Sequence, residues 1–301
     1  MRHRGVLLLV VVMAAVLSGC GTEPAPRPGS AVAARPLTEA EKLRIGDAQQ
    51  RLIRRCMAAR GFRYWEAERL SLEESRTLGY VSDDVDWARE HGYGSRILAR
   101  EDRARRANPN GVYRAGLPED RRRAYDKALD EGLDARIVSV DLPTGGTVRK
   151  RVGGCVGESE RKLYGDPVTW FRAEKTVGSL QPLYVPKVMS DRRFAAALGA
   201  WSRCMERAGH PYEDPAAART AGLRATAGPG AVTAGAFRTE RAVAVADARC
   251  ARETSLRSVG RASEAHQVDL LRDRYGDALD TYARLRSEAL ARAVRIVGPR
   301  T

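Results

Sequence analysis

The chain has 301 residues, a formal net charge of +14 and 30% charged residues. That is long enough for one large domain or two small ones with their own cores. Its basic balance invites a nucleic-acid reading. The arginine clusters (Arg103, Arg105 and Arg106; Arg121 to Arg123; Arg149 to Arg151) nevertheless lack the interleaved aromatics on which single-stranded bases stack, so no nucleic-acid partner is expected.

The first segment sets the compartment. Arg2, His3 and Arg4 precede a continuous apolar stretch from Val6 to Leu17, and Leu17-Ser18-Gly19 leads directly to Cys20. A cationic start, an apolar run and small residues before a cleavage point are the layout of an export signal. The run falls short of the ~20 apolar residues that span a bilayer. The segment resembles the bacterial lipoprotein signal peptide. That resemblance implies removal of residues 1–19, a diacylglycerol thioether on Cys20 and attachment to the extracytoplasmic face of the cell membrane. Cleavage removes Arg2 and Arg4 and no acid, so the chain stays basic among anionic headgroups and wall polymers. Pro24, Pro26, Pro28 and Pro36 lie among small residues in 20–36, which reads as a semi-extended tether.

A first Cys-containing unit is expected over 37–186. Thr38 and Glu41 have capping-box spacing, and Ile45, Ala48, Leu52 and Cys56 recur on one helical face up to Gly61, where a left-handed residue stops a helix. Ser71 with Glu74 and then Ser82 read as further caps, Asn108 to Gly111 as a turn, and Leu117 to Leu133 as a helix. Ile137, Val138 and Val140, then Pro143-Thr144-Gly145-Gly146, then Thr147, Val148 and Val152 give the best hairpin signal in the chain. This hairpin leads straight to Cys155.

A second unit is expected over 187–301. Phe194, Leu198, Trp201 and Met205 form a helical stripe behind Ser190, and Gly209 matches Gly61. Indeed, 55–64 aligns without gaps to 203–212, with Arg, Cys, Met, Gly and Tyr at the same spacing. Residues 222–235 read as a glycine-rich loop, 237–256 as a helix carrying Cys250, and 261–297 as a long helix with a seam from Val268 to Ile296. The fold expected is mainly α with one short β-hairpin, stapled by disulfides and organised as two related Cys-containing units.

Cysteines 56, 155, 204 and 250 are an even number in an exported chain, which favours two disulfides. Four cysteines allow three pairings. Cys155-Val156-Gly157-Glu158 also rhymes with Cys250-Ala251-Arg252-Glu253, so the scheme preferred from the repeat pairs within units, Cys56 with Cys155 and Cys204 with Cys250. The Cys-Met-x-x-x-Gly phrases, Gly79-Tyr80, Gly92-Tyr93-Gly94, Gly153-Gly154-Cys155, Leu163-Tyr164-Gly165-Asp166 and Trp201-Ser202-Arg203-Cys204-Met205 together resemble a group of predicted actinobacterial lipoproteins of unknown function. The resemblance spans most of the mature chain and implies a location and an organisation, with no reaction attached.

The sequence has no His-Glu-x-x-His, Gly-x-Ser-x-Gly or phosphate-binding glycine loop. His91, His210 and His266 are far apart, and Ser159-x-x-Lys162 lacks the companion motifs of penicillin-interacting enzymes. No catalytic residue, metal ligand or cofactor is assigned. Phe62, Tyr64 and Trp65 after the first repeat glycine, and His210, Tyr212, Glu213 and Asp214 after the second, are the candidate recognition residues, because aromatics beside acids suit a peptide, a sugar or a cation. The expected role is a non-catalytic binding or accessory protein of the cell envelope, its partner an envelope protein or an anionic wall polymer. Two alternatives stand beside it: an envelope hydrolase using Asp83, Asp84, Asp86 and Asp214 with Glu73 and Glu74, and a sensor or transporter accessory docking through its C-terminal helix.

Overall fold

The structure is a computed structural model and describes residues 35–67, 71–76, 78–132, 135–227 and 232–298. The export signal, Cys20 and most of the tether lie outside the described residues. The remainder is mainly helical with a single two-stranded hairpin.

Helix α1 (Glu39–Ala59) starts at the Thr38–Glu41 capping box, both of whose reciprocal bonds are made. It stops in a Schellman motif: Gly61 N–H bonds Ala58 O at 3.0 Å and Phe62 N–H bonds Met57 O at 3.0 Å. Gly61 has φ +77°, open to glycine without strain. Three helices follow, α2 (Val85–His91), α3 (Ser95–Arg106) and α4 (Pro109–Ala115). Residues 109–111 thus open a helix instead of forming a free turn, because Asn108 caps it and Pro109 supplies the fixed φ of a first helical position. The Ser71–Glu74 capping bonds also form, around a turn that does not continue as a helix. Helix α2 is capped by Asp84, two residues beyond Ser82.

The helix expected to reach Leu133 is α5 (Glu119–Asp126) with a π-helical turn, Lys127–Glu131. Strands β1 (Arg136–Asp141) and β2 (Thr147–Val152) pair antiparallel, Val140 opposite Val148. Helix α6 (Gly154–Tyr164) begins at once. A Cβ at Gly153 would stand 1.9 Å from Glu131 O, and one at Gly154 would stand 2.5 Å from Leu129 O. The Gly153-Gly154 pair therefore exists to let the hairpin exit pass against the π-turn backbone, delivering Cys155 to α1.

Then come α7 (Pro167–Gly178), α8 (Gln181–Met189) and α9 (Arg192–Arg207). Asp191, not Ser190, caps α9, accepting from Arg193 N–H at 2.8 Å. Its end repeats that of α1: Gly209 N–H bonds Glu206 O and His210 N–H bonds Met205 O. Helix α10 (Pro215–Thr226) occupies the first part of the expected 222–235 loop, and α11 (Ala234–Glu253) its last residues. The single long C-terminal helix is in fact two, α12 (Leu256–Leu270) and α13 (Arg272–Val297), broken at Leu271.

Disulfides Cys56–Cys155 and Cys204–Cys250 join α1 to α6 and α9 to α11, with Cα separations of 5.5 and 5.6 Å. One core gathers Phe194, Trp201, Met205, Val243, Ala244 and Leu256. Others form around Ile45, Leu52, Leu163 and Leu285, and around Met57, Phe62 and Tyr125. These cores do not respect a division at 186/187. Val85, Ala88 and Tyr93, from the N-terminal half, lie in the core of α9 and α11, while Leu285, Ala289 and Ala293 of α13 return to pack on α1, α6 and α7. Residues 35–298 accordingly cluster as one unit.

The bridges close 99 and 46 residues of chain, which loop-closure entropy converts to about 4.7 and about 4.0 kcal/mol of stability. Replacing each cysteine pair by alanine is expected to lower the urea-unfolding free energy by roughly 2–5 kcal/mol. A loss below about 1 kcal/mol for both would show that the bridges do not constrain the unfolded chain.

Candidate functional site

Of the first group of candidate residues, Tyr64 and Trp65 line an open cleft of about 640 Å³ between the 64–67 segment, α3 and the start of α4. Phe62 does not. It is core, edge-on to Tyr125 at 5.5 Å with the Arg121 guanidinium over its face. Trp65 is held by a two-way amide clamp: its N–H bonds Asn110 Oδ1 and its carbonyl accepts from Asn110 Nδ2, each at 2.8 Å. Its ring stands edge-on to Tyr113 at 5.5 Å and stays 38% exposed. Tyr64 Oη bonds Gln50 Oε1 at 3.2 Å, and burial pushes its phenol up. Glu66, also at the cleft, is neutralised by Arg51 and Arg54, each at 3.0 Å. Arg100, Glu101 and Arg105 form the α3 wall.

The second group lies outside this cleft. Asp214 caps α10, accepting from Ala217 N–H at 2.8 Å; the Tyr212 carbonyl accepts from Ser202 Oγ at 2.8 Å; Glu213 is exposed. The main chain of His210 completes the helix stop, its N–H bonding Met205 O at 2.8 Å. The two phrases align in sequence but diverge in use, because only the first is faced by the loop and helix that wall a cleft.

The acids considered for hydrolysis do not assemble as a catalytic pair. Asp83 pairs with Arg257, Asp86 with Arg89, and Asp84 caps α2 while pairing with Arg76. Glu74 pairs with Arg100, whose guanidinium holds its carboxyl down at about 2. Glu73 faces His91. General acid catalysis needs a carboxyl raised toward neutrality, and arginines do the opposite. Ser159 Oγ donates to Val156 O at 2.6 Å inside α6 while Lys162 pairs with Glu158 at 2.7 Å, so the Ser-x-x-Lys match is a helix face.

Two buried carboxylates were not picked out from the sequence. Glu240, 0% exposed, accepts from the N–H groups of Tyr93 at 2.7 Å and Ser95 at 3.2 Å and from Ser95 Oγ. Gly94 offers α3 no side-chain cap, so a glutamate from α11 caps it. Asp247, 1% exposed, accepts from Tyr93 Oη and Trp201 Nε1, each at 3.0 Å. Desolvation pushes Asp247 up to about 6 and the Tyr93 phenol far above its ordinary value. The signal was present: Glu240 and Asp247 stand seven apart on the stripe of Phe237, Val243, Ala244 and Ala251, where a solvated acid has no place.

The raised carboxyl predicts a pH dependence of definite sign. The folded state holds the Asp247 proton more tightly than the unfolded chain, whose carboxyl titrates near 3.8. This contribution is therefore fully present below pH 4 and lost as pH rises toward 6. Asp247→Asn keeps an acceptor for Trp201 and removes the titration. Its stability relative to the parent should rise by up to about 3 kcal/mol from pH 4 to pH 7, measured by urea unfolding across that range; parallel curves would sink the argument.

The chain matches no family model, no curated protein and no solved structure.

Proposed function

We propose that this protein is a non-catalytic binding protein of the cell envelope, anchored through an acylated Cys20 on the extracytoplasmic face of the membrane, and that it binds an acidic wall polymer in the 64–67/α3/α4 cleft. The observation that carries the reading is the cleft's wall: an exposed indole that stands edge-on to Tyr113, on a main chain fixed by Asn110, with Arg100 and Arg105 beside it. Clamped aromatics bind sugar rings without a large ordering cost, and arginine supplies planar donors to acidic groups. The engagement of each acid of the hydrolase alternative by arginine, capping or His91 supports binding over hydrolysis. Two disulfides fit an oxidising compartment.

The docking alternative loses its surface in part, since the α13 seam from Tyr282 onward is taken by the chain itself. Trp170 stacks on Tyr282 and on Tyr164, with Leu285, Ala289 and Ala293 buried behind them.

Two experiments test the proposal. Cys20→Ala should move the protein from the membrane pellet to the soluble fraction and abolish labelling by fatty acid; persistence in the membrane would refute the anchor. Soluble wall-polymer fragments titrated into the protein in a calorimeter should bind saturably, and Trp65→Ala with Arg105→Ala should weaken binding by roughly tenfold or more. Absence of binding, or equal binding by the double variant, would overturn the assignment of the cleft.

A further inference from the structure

Beside α2, three groups of metal-ligating type converge outside the cleft. His91 is the last residue of α2, Glu90 precedes it, and Glu73 comes from the 71–76 turn. The ligand atoms of all three lie within 4.8 Å of one another. His91 Nε2 is fully buried and has no hydrogen-bond partner. It faces Glu73 at 3.7 Å and Glu90 at 3.8 Å.

Those separations are too long for N–H···O bonds, which run to about 3.2 Å. A protonated imidazole bridging two carboxylates would close on one of them, and a buried ring nitrogen left unpaired costs about 1–3 kcal/mol. Two donors each about 2.0–2.2 Å from a tetrahedral ion stand about 3.4 Å apart, close to the two gaps from His91 Nε2. We propose that Glu73, Glu90 and His91 form a divalent-cation site, with His91 Nε2 and one oxygen from each carboxylate as ligands.

The donor set selects the ion. One imidazole with two carboxylates suits a borderline transition ion, Zn²⁺ foremost, whereas Ca²⁺ takes about six to eight oxygens. The neighbouring structure already positions two of the three residues. Trp87 Nε1 donates to the Glu73 carbonyl at 3.1 Å, pinning the turn to α2, and the Trp87 ring packs on the imidazole at 5.0 Å. Both glutamates reach solvent, which leaves an entry path and room for water as a fourth ligand.

The test is calorimetric titration of the full chain, purified in detergent without a histidine tag, with Zn²⁺ and separately with Ca²⁺. One equivalent of Zn²⁺ should bind, in preference to Ca²⁺. His91→Gln should abolish binding. Glu73→Gln and Glu90→Gln should each weaken it by at least the roughly 10–100-fold lost when an outer-shell partner of a metal site is removed. The glutamate variants alter solvent-reaching side chains and serve if the histidine variant fails to fold. No binding of Zn²⁺, preference for Ca²⁺, or Zn²⁺ binding unchanged in both glutamate variants would overturn the proposal.

Discussion

Two carboxylates on the buried face of α11 tie together parts of this fold that are far apart in sequence. An acid taken out of water must be given donors, and here, beside Trp201 on α9, the donors lie 145 to 154 residues away in sequence, at Tyr93 and Ser95. Satisfying Glu240 fixes the Tyr93–Ser95 backbone at the start of α3. Satisfying Asp247 brings the Tyr93 phenol and the Trp201 indole N–H to one carboxylate. Tyr93 thus serves both acids, one through its backbone and one through its phenol, and ties α2 and α3 into the core of α9 and α11. Since α3 is also a wall of the Trp65 cleft, the cleft depends on carboxylates remote from it.

The internal repeat has a physical content beyond its cysteines. Each bridge joins a helix ending in a Gly-capped Schellman turn to a helix carrying Cys-x-x-Glu, and in each the glutamate comes back to the bridge. Glu158 Oε2 lies 3.3 Å from Cys56 Sγ and 3.6 Å from Arg60; Glu253 Oε2 lies 3.6 Å from Cys204 Sγ, with Arg207 3.3 Å from its other oxygen. The same Cys–Arg–Glu grouping therefore appears twice, with Arg four residues after the cysteine in one copy and three in the other. What differs is the company each pair keeps. The α1–α6 pair is completed by α13 from the far end of the chain, and the α9–α11 pair by α2 from the near end, so each copy borrows an element from the other half.

The sequence made α1, α2, α5, α9, α11, the hairpin and both bridges legible because their signals are local: caps, a 3–4 periodicity, turn glycines and a repeated cysteine phrase; α3, α7, α8 and α10 were not legible. It misled where a local signal was ambiguous. Asn108 to Gly111 carries turn residues, yet an Asn cap followed by proline opens a helix equally well. A small-residue stretch such as 222–226 forms the end of α10, where Gly222 is buried. The exchange of α2 and α13 between the two cores was not legible, because nothing in a helix's own stripe says which distant stripe it meets. Half of the candidate site was visible for the same reason: Tyr64 and Trp65 announce themselves as aromatics after a stop, but whether a cleft opens beside them is decided by α3 and α4.

Part of the arginine content is accounted for by internal partners, although pairing leaves the net basic excess unchanged. Arginines meet Asp83, Asp84, Asp86, Glu66, Glu74, Glu158 and Glu253 as near neighbours, so much of the guanidinium chemistry is used internally. One turn concentrates the consequence. Glu73 and Glu74 are adjacent; the first faces His91, and the second holds Arg100 at the wall of the cleft. Trp87 fastens this turn through the Glu73 carbonyl. Anything that fixes Glu73 on α2 restricts the turn from which Glu74 reaches Arg100, and anything that draws Arg100 into the cleft acts on the same turn from the other side. If a cation occupies the first position and a ligand the second, linkage requires each to change the affinity of the other by the same factor, carried by two consecutive residues.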